Sequence, residues 1–146
     1  MVTTSPVSYD QDFALWLEST VQLLKAGEFA GVDWEHLIEE IEGLTRSDKR
    51  ELENRLITLF EHALKRCYVP FPDCYRGWDV TLLRTQKQIQ RILKDSPSLR
   101  NYLREILEAS YQEAWEDMSQ EYDASFPDQY PFSKDLAILL STSFWQ

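Results

Sequence analysis

The clearest helical pattern in this chain lies in residues 47–69, SDKRELENRLITLFEHALKRCYV. Apolar side chains recur there at steps of three and four residues, which is the spacing of one face of an α-helix. The positions on this face are Leu52, Leu56, Leu59, Phe60 and Ala63. Ser47 or Asp48 is a suitable N-cap, and Val69 before Pro70 is a natural end. The pattern therefore predicts a buried core helix.

Two shorter helices are predicted before this one. The first has an apolar face and ends near Lys25 and Gly27, and Ser8 with Gln11 resembles a capping box at its start. The residues of that face are Phe13, Trp16, Leu17, Val21 and Leu24. The second helix is expected to begin at the N-cap Asp33 and to run to about Gly43. Its narrow apolar face contains Leu37, Ile38 and Ile41.

Three further helices are predicted in the second half of the chain, at about 78–95, 98–122 and 134–143. The two prolines and the glycine of residues 70–77 predict a rigid loop before the first of them. Pro97, directly after Ser96, is typical of the first turn of a helix and starts the long second one. Pro127 and Pro131 predict another rigid loop over 123–132. Ser133 is expected to cap the last helix, which carries Leu136, Leu139 and Leu140.

The composition agrees with an all-α fold. The chain has 146 residues, of which 43% are hydrophobic, and only four glycines. These values predict a single helical bundle of five to six helices over residues 8–146, with one long helix in the C-terminal half, preceded by a flexible arm at 1–7. Cys67 and Cys74 fit no metal or redox motif and are expected to be free thiols. Free thiols and the absence of a long apolar run predict a cytoplasmic protein without a membrane anchor.

The charge is strongly negative but unevenly distributed. The formal net charge of −10 disfavours binding to nucleic acids and anionic membranes. Residues 1–45 hold nine acidic residues and one lysine, whereas residues 76–104 hold seven cations and two acids. The cations of the predicted 78–95 helix fall on one side, at Arg84, Lys87, Arg91 and Lys94. This basic stripe is either an ordinary solvated face or a docking strip for an acidic partner, including a second copy of the chain.

Two helices carry the residues best suited to chemistry. His36, Glu39 and Glu40 share the predicted second helix, and His62 and Lys65 lie near the end of the third. The Glu-x-x-His order of helical metal sites is absent, so we expect neither a metal nor another cofactor. In the simplest interpretation, His36 pairs with a neighbouring carboxylate and His62 is structural. If the two helices packed antiparallel, however, these residues could approach one another and form an acid–base pocket.

A family pattern is visible at Tyr9, Asp12, Trp16, Leu24, Gly27, Asp33, 36–42, Leu56, 62–65, Pro70, Trp78, 97–99, Tyr111, 126–127, 130–131 and 144–145. At these positions the chain resembles a bacterial family, common in cyanobacteria, known as domain of unknown function family twenty-nine. The resemblance extends over nearly the whole chain, from Tyr9 to Trp145. The resemblance implies an all-helical fold and leaves the activity open. Two positions depart from the family pattern: Arg66 where an aromatic residue is usual, and Tyr130 where a cysteine is usual.

The leading functional hypothesis is a non-enzymatic protein-interaction module, with a protein partner or a second copy as its target. The binding residues would be the basic stripe together with Trp34 and Trp78, since large aromatic residues often anchor interfaces. The rival hypothesis is a small-ligand-binding protein or a hydrolase-like enzyme. Its pocket would contain His36, Glu39, Glu40, His62 and Lys65.

Overall fold

The computed structural model describes residues 8–146, and the predicted arm at 1–7 lies outside them. The described residues form six α-helices and no strand, which confirms the all-α fold. The helices are α1 (Phe13–Ala26), α2 (Trp34–Tyr68), α3 (Pro72–Asp95), α4 (Leu99–Glu105), α5 (Leu107–Glu121) and α6 (Leu136–Ser141). The described residues divide into two compact units, an N-terminal unit up to residue 46 and a C-terminal unit over 47–146, and the boundary falls within α2. A single domain over 8–146 stays a prediction.

The N-terminal unit contains α1, a short 3₁₀ turn at Phe29–Gly31 and the beginning of α2. Asp12 lies one residue before α1 and caps it by accepting a hydrogen bond from the Leu15 amide at 3.0 Å. The N-cap is therefore Asp12, and not the expected capping pair of Ser8 and Gln11. The helix ends as predicted at Gly27, whose φ of 73° is left-handed and suits a residue without a Cβ.

The apolar face predicted for α1 is only partly buried. Trp16 is buried, whereas Phe13, Leu17 and Val21 are exposed. The residues share one side of α1 as the spacing predicts, but only Trp16 among these four is buried. A unit of this size holds too little chain to cover all of its apolar side chains, because the buried fraction of a protein's surface falls as the chain becomes shorter.

The most consequential correction concerns α2, which is one helix of 35 residues where two were predicted. Gly43 lies within the helix and does not adopt a positive φ. Glycine lowers helix stability by about 1 kcal/mol relative to alanine. This is too little to break a helix when helical turns precede and follow the glycine. Ser47 and Asp48 are consequently interior residues of α2 rather than caps.

Two other boundaries differ from the predictions. The expected loop at 70–77 is mostly helix, because Pro72 occupies the first turn of α3, where its missing amide hydrogen is not needed. The expected helix from Ser98 to about Tyr122 is interrupted at Ile106, which separates α4 from α5. The last helix, α6, begins later than predicted, and Asp135 rather than Ser133 caps it through the Ala137 amide at 2.9 Å.

The C-terminal unit contains the hydrophobic core. The predicted core face of residues 52–63 is confirmed, since all five of its side chains are completely buried. Phe60 is at the centre of an aromatic cluster, with ring centroids 5.8 Å from Tyr111, 5.5 Å from Tyr130 and 5.8 Å from Phe132. Leu residues of α3, α4, α5 and α6 complete the core. Burial of these apolar side chains is the main stabilising contribution to this unit.

Candidate functional site

The N-terminal unit brings four polar groups together at the start of α2. Asp33 precedes the helix, and its carboxylate accepts hydrogen bonds from the backbone amide of His36 at 3.3 Å and from its imidazole Nδ1 at 2.5 Å. The Tyr9 ring stacks on the His36 imidazole with centroids 4.2 Å apart. The Tyr9 hydroxyl donates a hydrogen bond to Glu40 Oε1, one turn further along the same helix. We call these four residues the histidine clasp.

The protonation of the histidine clasp limits its chemistry. The hydrogen bond to Asp33 raises the pKa of His36, and the same bond lowers the pKa of Asp33. The hydrogen bond to Glu40 raises the pKa of Tyr9 to about 12. At neutral pH Tyr9 keeps its proton, and the raised pKa of His36 shifts its imidazole toward the protonated form, so the clasp favours ion pairing over general-base chemistry. The arrangement suits an ion pair that holds residues 8–12 against α2.

The space next to the clasp is small. A cavity of about 130 Å³ lies between Tyr9, Trp16, Gly31 and His36. Sites for small organic ligands usually occupy about 300–1,000 Å³. Glu39 lies outside the clasp, on a shallow groove with Glu35, Glu42 and Arg46. Within residues 8–146, no three His, Cys, Asp or Glu side chains are grouped closely enough to hold a metal ion.

His62 and Lys65 lie in the C-terminal unit and make local contacts. The His62 Nδ1 is 2.9 Å from the Thr58 carbonyl oxygen one turn earlier, so this nitrogen carries the proton and donates it. Burial lowers the pKa of His62, and the neutral imidazole is the favoured form. The Lys65 ammonium lies 5.8 Å from the centre of the Trp78 ring, within the range of a cation–π contact.

Both histidines lie on α2, His36 in the N-terminal unit and His62 in the C-terminal unit. The turn between two helices that the antiparallel arrangement required is not found, because α2 is one helix. The shared pocket of these residues stays a prediction. The prediction that His36 pairs with a neighbouring carboxylate agrees with its contact to Asp33.

The predicted basic stripe lies on the exposed face of α3. Arg84, Lys87, Arg91 and Lys94 are all exposed, and none forms an ion pair with a carboxylate of residues 8–146. Two exposed apolar side chains, Val80 at 47% and Leu83 at 46%, extend this face toward the start of the helix. At about 100° per residue, all six positions fall within an arc of about 100°. We call this set the α3 face.

The predicted aromatic binding residues differ in exposure. Trp34 is 46% exposed, and its indole nitrogen donates a hydrogen bond to the Phe29 carbonyl at 3.1 Å. Trp78 is half-buried and packs against the core of the C-terminal unit. Trp145, near the end of the chain, is only 4% exposed, and its indole nitrogen donates to Asp79 Oδ1 at 3.1 Å. Trp34 is thus the most exposed of these three indoles.

Polar contacts that the sequence pattern did not reveal connect the elements of the C-terminal unit. Asp79 also accepts a hydrogen bond from Arg66 at 3.0 Å, and the Cys67 thiol donates to the Trp145 carbonyl at 3.0 Å. Gln86 and Gln90 on α3 donate to backbone carbonyls at the end of α6. Of these residues, Gln86 could have been identified from the sequence, because it is a polar residue on the otherwise apolar face of α3. Cys67 and Cys74 are free thiols, as expected.

These observations define an all-α protein. Its C-terminal unit contains the hydrophobic core, its N-terminal unit is small, and one helix has an exposed cationic face. The chain belongs to the family described as domain of unknown function DUF29, whose model matches residues 8–145. No curated protein and no solved structure matches the chain. Within residues 8–146, no helix combines the length and the apolar composition needed to cross a bilayer.

Proposed function

We propose that this protein is a non-enzymatic interaction module of the cytoplasm whose α3 face binds an acidic, amphipathic helix of another protein molecule. The observation that carries the proposal is the combination of exposed apolar side chains and unpaired cations on one side of α3. Val80 and Leu83 would contact apolar side chains of the partner, while Arg84, Lys87 and Arg91 would meet its carboxylates. Apolar contact supplies affinity, and complementary charge supplies orientation and a fast association rate.

The form of the α3 face supports a helical partner. The apolar and basic positions follow the axis of one helix over about four turns, so the face is long and narrow. An amphipathic helix presents a stripe of the same form at positions i, i+3, i+4 and i+7. Nucleic acid is a poorer match, because the net charge of −10 opposes the approach of its phosphates to the protein as a whole.

A second copy of the chain offers one partner of this chemistry. At the start of α2, Trp34, Ile38 and Ile41 form an exposed apolar stripe at helical spacing. Glu35, Glu39 and Glu42 accompany it on the same helix. This acidic, amphipathic segment in one molecule has the features that the α3 face of another molecule requires, which makes a homodimer one form of the proposal.

The proposal is tested by reversing the charge of the α3 face. A photo-activated cross-linking residue is placed at Leu83, and the products are identified by mass spectrometry. We expect a cross-link to a second copy or to a discrete protein that has an acidic amphipathic helix. In the variant carrying Arg84→Glu, Lys87→Glu and Arg91→Glu, the dissociation constant of that complex should rise by at least about tenfold, which corresponds to about 1.4 kcal/mol.

The matched control changes the net charge equally but leaves the α3 face intact. Lys25→Glu, Arg50→Glu and Lys134→Glu replace three exposed cations outside the α3 face and outside the acidic segment of α2. The control should bind like the wild type if position on the α3 face matters, and circular dichroism should show both variants folded. The proposal fails if the two triple variants weaken the complex equally, or if Leu83 forms cross-links to protein no more often than exposed Glu116 on α5.

A further inference from the structure

A cavity separate from the histidine clasp lies among α3, α4 and α6, entirely within the C-terminal unit. Its volume is about 390 Å³, which falls within the usual range for sites that bind small organic molecules. The polar side is formed by Lys94 at the end of α3 and by Arg100 and Arg104, one turn apart on α4. The apolar side is formed by Leu93, Leu136 and Leu140.

The cations of this cavity are not neutralised by the protein. Among residues 8–146, no carboxylate forms an ion pair with Lys94, Arg100 or Arg104. Arg104 donates a hydrogen bond at 2.9 Å to the neutral side chain of Asn101. The lining contains one carboxylate, that of Asp135, which accepts the Ala137 amide as the cap of α6. Three cations and one carboxylate leave an excess of positive charge around a partly enclosed space.

The apolar side of the cavity is held in place by hydrogen bonds. Leu93, Leu136 and Leu140 are buried members of the core, so they present a fixed surface. Gln90 donates from α3 to the Leu140 carbonyl, and this bond fixes α6 against α3 next to the cavity. A ligand entering the cavity therefore meets a rigid apolar wall opposite a cationic one, and a molecule with one charged end matches both.

We propose that this cavity binds a small organic anion whose phosphate or carboxylate group contacts Arg100, Arg104 and Lys94, and whose apolar part lies against the three leucines. A guanidinium group presents paired donors that match two oxygens of a phosphate or carboxylate, so the two arginines supply most of the recognition. Binding also relieves the repulsion between like charges one turn apart on α4. Lys94 belongs to both the cavity and the α3 face, whereas Arg100 and Arg104 lie outside the α3 face, so variants of these two arginines test the cavity separately from the protein-interaction function.

The test is a titration of the ¹⁵N-labelled full chain with four probes: octyl phosphate, octanoate, inorganic phosphate and octanol. We expect octyl phosphate, octanoate or both to saturate one site and to shift the amide resonances of residues 136–141, at concentrations up to about 10 mM. Binding of octyl phosphate alone identifies a phosphate group, and binding of octanoate extends the site to carboxylates. Inorganic phosphate and octanol should each bind at least tenfold more weakly, because each lacks one half of the matching chemistry.

Matched variants connect the binding to these residues. Arg100→Gln with Arg104→Gln should weaken binding of the best probe at least tenfold, and the exposure of both side chains allows the variant to fold. Arg84→Gln with Lys87→Gln removes the same charge from α3 outside the cavity and should bind like the wild type. The proposal is overturned if neither amphipathic anion binds, if octanol or inorganic phosphate binds equally well, or if both double variants behave alike.

Discussion

Gln86 provides a strong test of how the C-terminal unit is held together. Its side chain is 4% exposed, and its amide nitrogen donates to the carbonyl oxygens of Leu139 at 2.9 Å and Thr142 at 2.8 Å. These carbonyls belong to the last turn and cap of α6, where no amide of the helix remains to bind them. The substitution Gln86→Met keeps the length of the side chain but removes both hydrogen bonds.

The expected loss follows from the environment of each bond. The bond to Leu139 is buried, and leaving a buried carbonyl without a partner costs about 1–3 kcal/mol. The bond to Thr142 is partly exposed, so water replaces it in part and the loss is about 0.5–1.5 kcal/mol. The gain from burying a methionine offsets some of this. We therefore expect Gln86→Met to lower the free energy of unfolding by about 2 kcal/mol.

Urea denaturation followed by circular dichroism measures this change. With a denaturant dependence of about 2 kcal/mol per molar urea, a loss of 2 kcal/mol lowers the midpoint by about 1 M. The control is Gln88→Met on the same helix, because the Gln88 side chain makes no hydrogen bond within residues 8–146. Equal midpoints for the two variants would refute the reasoning, as would unchanged hydrogen-exchange protection of the α6 amides in Gln86→Met.

Three other predictions follow from the described contacts. In an NMR titration, His36 should titrate above the ordinary pKa of 6.5 and His62 below it, and the opposite order would contradict the assigned contacts. Because the raised pKa of His36 favours the protonated folded state, its stabilising contribution is full below 6.5 and disappears as the pH rises through its folded pKa. The pH dependence is opposite for His62: its lowered pKa favours the neutral form in the folded state, so its stabilising contribution is lost as the pH falls below 6.5. Asp33→Asn should move the pKa of His36 back toward 6.5 in the same titration. Phe60→Ala should cost about 3–5 kcal/mol in urea denaturation, whereas Phe29→Ala, at a side chain 54% exposed, should change stability by less than about 0.5 kcal/mol.

The parts of the fold that the sequence predicts well are those governed by local periodicity. The core face of residues 52–63 is predicted correctly because every helical turn there carries an apolar residue. Helix ends are predicted less well, because a glycine or proline ends a helix only where the backbone leaves the helical conformation. Gly27 does so with a positive φ, whereas Gly43 remains within α2 and Pro72 begins α3.

The candidate sites show the same division. The basic positions of α3 follow from helical spacing, and the pairing of His36 with a nearby carboxylate follows from its neighbours in sequence. The contact of Tyr9 with Glu40 joins residues 31 positions apart, and no local pattern predicts it. The cationic cavity likewise requires α3, α4 and α6 to meet, which depends on tertiary packing rather than on the pattern of any one helix.

The contacts of Trp145 also determine when the C-terminal unit can fold during synthesis. Its indole hydrogen-bonds to Asp79, 66 residues earlier in the chain. A ribosome adding about 5–20 residues per second needs roughly 3–13 s to cover that interval. Throughout this time, the apolar faces of α2 and α3 lack the residues of α6 and Trp145 that cover them in the folded protein. The core of the C-terminal unit can therefore be completed only after residue 145 has been synthesised.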